Sequence, residues 1–307
     1  MAIIDEVSVL HIRPIQSGTA LHHQEAADYF KKYNLQIHVE EYGFIPNRSD
    51  ITILTNRLKY NEIKFTLIHW LMCTSIREVS VGLDGYMGWC QFLAYLSDIT
   101  NVRKYEDTAC ELLLKVQDNI SMIKDDMNFE HGITGCCWLI ENLFATGHIE
   151  DNPEEILYDV DNHISQYVSS HYNELTVAEL VGVGKYYMMK YNNRPTNENK
   201  ERLTEIVRML SNEITDDRMM IDALMLKKAC GYDVKTQIRG LMTSVCDTKC
   251  TQVKHVYELF KIYLLTEDMT IRNMVEKALM YLPPRLLNLR DARYISEMLS
   301  YDVQKNG

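Results

Sequence analysis

The feature that most constrains this chain is a spacing of 47 residues that recurs between Val81 and Ile214. Gly85-Tyr86-Met87-Gly88, Gly132-Ile133-Thr134-Gly135 and Glu179-Leu180-Val181-Gly182 stand one period apart. The register then runs on without gaps. Apolar columns fall at Phe92/Leu139/Tyr186, Leu93/Ile140/Tyr187, Ala109/Ile156/Leu203, Leu113/Val160/Val207 and Ile120/Tyr167/Ile214. A fixed period of this length means that one supersecondary unit is stacked on copies of itself.

Each unit reads as two helices. Trp89, Phe92, Leu93 and Leu96, and in the next copy Trp138, Leu139, Ile140, Leu143 and Phe144, form runs with few charges. That is the pattern of a helix buried on most of its circumference. After a short polar connection, Tyr105, Ala109, Leu112, Leu113, Val116 and Ile120 share one face, with Lys104, Glu106, Glu111, Lys115 and Asp118 mostly opposite. Asn152-Pro153-Glu154-Glu155 marks the start of one such water-facing helix, with an N-cap, a proline at the first helical position and a glutamate able to bond back. Hairpins of this kind stack into an open solenoid or close into a ring. Buried inner helices favour the ring, because a closed double layer covers both of their sides. The spacing therefore predicts an all-α fold, an α/α toroid of about six hairpins. Inner helices should begin just after Gly88, Gly135 and Gly182, and outer helices should lie near 102–120, 153–169 and 197–214. The glycines supply positive φ or close backbone approach.

The unbroken repeat argues for a single domain over 1–307, with an irregular extension at 1–46, clear repeats over 47–215 and degenerate helical repeats over 216–307. A helix is expected at 19–33, a short strand or extended chain at 36–39, and a first hairpin over 47–74. Helices at 218–230, 234–245, 253–265, 271–282 and 291–303 would complete the ring. The net charge of −11, with no basic stripe, argues against nucleic acid as a partner. No apolar run reaches the roughly 20 residues of a membrane span, and the N-terminus lacks a secretory pattern, so a cytoplasmic location is expected. The eight cysteines are scattered. Cys73, Cys90 and Cys110 lie inside apolar runs, as small buried hydrophobes do in a reducing compartment.

Gly-Leu-Asp-Gly-Tyr-Met-Gly-Trp (82–89), His-Gly-Ile-Thr-Gly-Cys-Cys-Trp-Leu-Ile-Glu (131–141) and Glu-Leu-Val-Gly-Val-Gly-Lys-Tyr (179–186) resemble the H-G-x-x-G-x-G elements of the lanthionine synthetase C-like (LanC-like) family. Gly147-His148-Ile149, followed by an acidic helix, adds to the likeness, which spans roughly residues 60–215. The resemblance implies an α/α toroid. It also implies a cyclase zinc, held by a cysteine in a Trp-Cys-x-Gly element and by a Cys-His pair in a Cys-His-Gly element of the C-terminal repeats. Such a zinc lowers a substrate thiol's pKa, and the thiolate adds to a dehydrated serine or threonine. This chain departs from that pattern. Gln91-Phe92-Leu93 follows Trp89-Cys90, Glu130 precedes His131-Gly132 where cysteine is required, and nothing after residue 215 matches Cys-His-Gly.

The other ligand-like cluster is Cys246, Cys250 and His255, spaced by four and five, and it lacks a fourth ligand. Asp84, Tyr86, Glu130, His131 and Glu179 fall at the mouths of inner helices and make the expected binding rim. An acidic rim with aromatic residues favours a basic or neutral peptide segment. His131 either satisfies loop backbone groups or acts as a base; no catalytic residue is assigned. The resemblance, taken with these departures from its zinc pattern, leads to the expectation of a protein of ribosomal-peptide modification that needs no cofactor and binds a peptide or protein partner. A divergent zinc-dependent cyclase is the alternative, and a non-enzymatic helical interaction module a further one.

Overall fold

Among the described residues every regular element is a helix. The structure is a computed structural model that describes residues 80–210, 216–246, 252–281 and 288–306, with isolated positions at 63, 64, 67, 68, 71 and 214. The chain divides into two compact units, Met1–Asn56 and Arg57–Gly307, and every described residue belongs to the second. The elements expected at 19–33 and 36–39, and most of the hairpin at 47–74, lie outside the described residues.

Twelve helices follow in order: α1 Tyr86–Thr100, α2 Arg103–Asn119, α3 Ile133–Ala145, α4 Pro153–Ile156, α5 Tyr158–His171 and α6 Val177–Asn193, then α7 Asn197–Met209, α8 Asp217–Ala229, α9 Lys235–Cys246, α10 Val253–Thr266, α11 Met269–Tyr281 and α12 Leu289–Asn306. Helices α1, α3, α6, α8, α10 and α12 pack each on the next, and α12 packs back on α1. They form a closed inner ring. α2 packs on α1, α7 on α6 and α11 on α10, as an outer layer. This is the α/α toroid.

The two layers differ as their sequences require. In α3 every residue from Ile133 to Leu143 is buried, whereas α2 buries only Ala109, Leu112 and Val116. Adjacent inner helices present equivalent repeat positions to each other. The Asn142 side-chain amide donates to the Tyr95 hydroxyl at 2.6 Å across exactly one period of 47 residues.

Three expectations need correction. The inner helices begin before their glycines, so Gly88 and Gly135 sit inside the first turns and Gly182 in the second. None of the three has positive φ; close approach is what they supply. A Cβ at Gly88 would stand 2.0 Å from the Leu83 carbonyl oxygen, and one at Gly135 1.9 Å from that of Phe129. The outer helix expected over 153–169 is broken at Leu157, which turns inward and is buried while Ile156 is left exposed. The apolar column through Ile156 is therefore filled one residue later. The third outer helix, α7, ends at Met209 rather than 214.

Candidate functional site

Each of the six inner helices brings a polar group to the centre of the ring, either from the helix itself or from the loop that enters it. On α12, Arg290, Arg293 and Glu297 share one face at helical spacing. Arg293 is buried, and its Nε donates to Gln91 Oε1 of α1 at 2.9 Å. Its Nη1 donates to the Leu83 carbonyl and to Glu130 Oε2, the latter at 3.2 Å. Arg290 Nε stands 3.7 Å from the same Glu130 oxygen. Gln91 Nε2 donates to Glu297 Oε2 at 3.3 Å, and the Tyr257 hydroxyl of α10 reaches both oxygens of that carboxylate. One turn along α10, Lys261 donates to Asp222 Oδ1 of α8 at 2.6 Å. Lys185 of α6 stands 3.9 Å from Asp222 Oδ2 and 3.4 Å from the centre of the Phe129 ring. Phe129 adjoins Glu130, so the circuit closes on itself.

Burial and charge oppose each other along this circuit. Burial would raise the Glu130 carboxyl, but Arg293, Lys185 and Arg290 outweigh it and hold Glu130 below the ordinary glutamate value. Burial pushes the Lys185 amine down to about 8, helped by Lys261 and opposed by Asp222, Glu130 and Glu297. Burial raises Glu297 despite the Tyr257 hydrogen bonds and the cations Arg293, Lys185 and Lys261.

The residues singled out from sequence divide between this centre and other tasks. Glu130 is a member of the circuit. Asp84 and His131, one repeat period apart, meet at 2.8 Å through Asp84 Oδ2 and His131 Nδ1, while Ser80 Oγ donates to Asp84 Oδ1. The Asp84 backbone N–H donates to the Glu130 carbonyl, tying the first two glycine loops together. Tyr86 has the Lys115 ammonium of the outer helix α2 at 5.9 Å from its ring. Glu179 accepts from the backbone N–H and hydroxyl of Thr176 and returns its own N–H to that hydroxyl, a capping box that starts α6. His255 is half-buried on α10; the Cys246 side chain and Cys250 lie outside the described residues.

Gln91 and Lys185 escaped the sequence reading, though a signal was present. They occupy one repeat column, 91/138/185, as polar residues within otherwise apolar inner helices. The third member, Trp138, packs edge-on against Phe129 at 5.4 Å. Asp222, Lys261 and Arg293 lie in repeats that have lost the register, and no spacing points to them.

Residues 82–231 match the family model described as lanthionine synthetase C-like protein. These residues form a LanC-like domain, just under half of the chain. No curated protein and no solved structure matches it. The LanC-like match takes in Asp84, Glu130, His131, Lys185 and Asp222, and stops before the helices that supply Tyr257, Lys261 and Arg293.

The zinc that a LanC-like ring implies does not fit the described residues. Among them, no group of three or more His, Cys, Asp or Glu side chains is placed to hold a metal ion. Glu130, where the family pattern requires cysteine, is held by two arginines, and Nδ1 of His131 is engaged by Asp84. Cys90 Sγ donates to the Ala109 carbonyl of α2. Burial pushes the Cys90 and Cys137 thiols up and takes Cys136 to about 12.

Proposed function

We propose that this LanC-like protein serves ribosomal-peptide modification by binding a peptide without cyclising it, and without zinc. The observation that carries the reading is the Arg293–Glu130 pair. Glu130 stands where the family pattern has a metal-binding cysteine and is held by a buried guanidinium, and the neighbouring loops are tied together by Asp84 and His131. What remains open to a partner is the loop end of the ring, where Arg290 and His131 are about half exposed. Donors, acceptors and aromatic faces alternate there, which suits an extended peptide. The test is zinc analysis of the purified protein, together with calorimetric titration against dehydrated precursor peptides and mass spectrometry for thioether formation. Substoichiometric zinc, peptide binding and no thioether are expected. Roughly one zinc per chain, lost with thioether formation when Cys246, Cys250 or His255 is changed, overturns the reading.

The Asp84–His131 pair favours a second reading, a divergent cyclase. With the Nδ1 proton donated to Asp84, His131 Nε2 is the acceptor at the mouth of the ring. It would take the proton of a substrate thiol as sulfur bonds to the β-carbon of a dehydrated residue, then return it to the α-carbon. Thioether formation by the wild type that His131→Ala abolishes would establish this reading over the first.

A further inference from the structure

The sequence leads one to expect an acidic rim, but the centre of the ring carries the opposite balance. Arg290 and Arg293 share Glu130, while Lys185 and Lys261 share Asp222. Glu297, the remaining carboxylate of the circuit, accepts from Tyr257 and Gln91, both uncharged. Counted over these described side chains, cations exceed carboxylates, inside a protein whose net charge is −11. Two of the cations are incompletely held. The Lys185 side chain is 19% exposed, its nearest carboxylate oxygen is 3.9 Å away and already beside Lys261, and its closest neighbour is the face of Phe129. Arg290 is 47% exposed and 3.7 Å from Glu130, beyond hydrogen-bond length. An ammonium has three donors and a guanidinium five, so both have donors to offer a ligand.

We infer that the ring's centre is a carboxylate site, in which Arg290 at the mouth attracts, and Lys185 farther in holds, an acidic group of the bound peptide. Only the ligand's being a peptide rests on the function proposed above; the ion site does not. A carboxylate entering here replaces the distant half of each shared ion pair with a charge-assisted hydrogen bond. Phe129, under Lys185, and Tyr294, stacked on Tyr257 at 3.9 Å, are the aromatic neighbours of these groups.

The experiment is calorimetric titration of the full chain with four probes. These are succinate, a neutral tetrapeptide with a free C-terminus, the same peptide amidated, and an amidated peptide containing one glutamate. Succinate and the carboxylate-bearing peptides should bind, and the neutral amidated peptide should bind at least about tenfold more weakly. A free C-terminus and a glutamate side chain are distinguished by which peptide binds more tightly. Lys185→Met should weaken binding about ten- to a hundredfold, with the helical circular dichroism unchanged. Wild-type binding should fall as pH rises through about 8, where Lys185 loses its proton. The groups facing Lys185 are Asp222, Lys261, Glu130 and Glu297. Glu297→Gln should keep the step and Lys185→Met should lack it, so the test survives even if one variant folds poorly. A flat pH profile, or equal affinity for free and amidated peptides, overturns the inference. Peptide binding regardless of charge would leave the proposed function standing without this site. Succinate binding with no peptide binding would leave the site without that function.

Discussion

Arg293, on the last helix of the ring, holds Glu130 on the loop that enters α3, across 163 residues of sequence. The same guanidinium takes the Leu83 carbonyl and the Gln91 side chain of α1. The ring is therefore closed by apolar packing between α12 and α1 and, at its centre, by one buried cation that touches both of the first two units.

Arg293→Met should destabilise the protein by about 3 to 5 kcal/mol, because it leaves Glu130 and the Leu83 carbonyl short of their buried partner. Glu130→Gln should cost less, since the arginine keeps its other two acceptors. Urea unfolding of the two single variants and the double variant measures the coupling.

Glycine substitutions should rank by what a Cβ would meet. Gly135→Ala places a carbon 1.9 Å from the Phe129 carbonyl oxygen and should cost about 3 kcal/mol, with Gly135→Val worse. Gly182→Ala meets nothing nearer than 3.0 Å and should cost less. Gly147, at φ +79° with open space around it, should cost only about 1 kcal/mol on change to alanine, from backbone strain alone. Melting midpoints that fail to follow this order would reject close approach as the reason for the glycines.

His148 lies in the loop after α3 and meets Glu106 at 3.1 Å and Asp98 at 3.4 Å; Asp98 also accepts from Ser300 of α12. The Asp98 hydrogen bond first, and then Glu106, raise its pKa against the effect of burial. A histidine raised above its unfolded value of about 6.5 stabilises fully below that pH and loses its contribution as pH rises through the folded value. Stability of the wild type minus that of His148→Gln should therefore decrease on going from acidic to mildly basic pH. A constant difference would remove His148 as the cause.

Thiol accessibility should separate the cysteines that the structure describes. Cys110 is exposed on α2, whereas Cys90, Cys136 and Cys137 are buried. A maleimide followed by peptide mapping should modify Cys110 in the native protein and reach Cys90, Cys136 and Cys137 only after unfolding, with half-buried Cys230 between them.

The architecture was legible in the residues because a repeat imposes the same burial on the same column, and burial selects apolar side chains wherever the column recurs. The 47-residue spacing was enough to predict the buried inner helices, the one-sided outer helices and the loops that carry Asp84, Glu130 and His131. After residue 215, where the spacing is lost, the helical apolar pattern alone placed the helices within a few residues of where they lie. What the spacing could not supply was the charge at the centre. Glu130 reads as an exposed loop acid until Arg293 is beside it, and no local pattern relates two residues 163 positions apart in repeats that have lost their register. Lys185 and Asp222 likewise become neighbours only when α6 and α8 pack side by side. Local burial is written along the chain; the balance of charge in a lumen belongs to every helix that faces it, and only closure of the ring decides it.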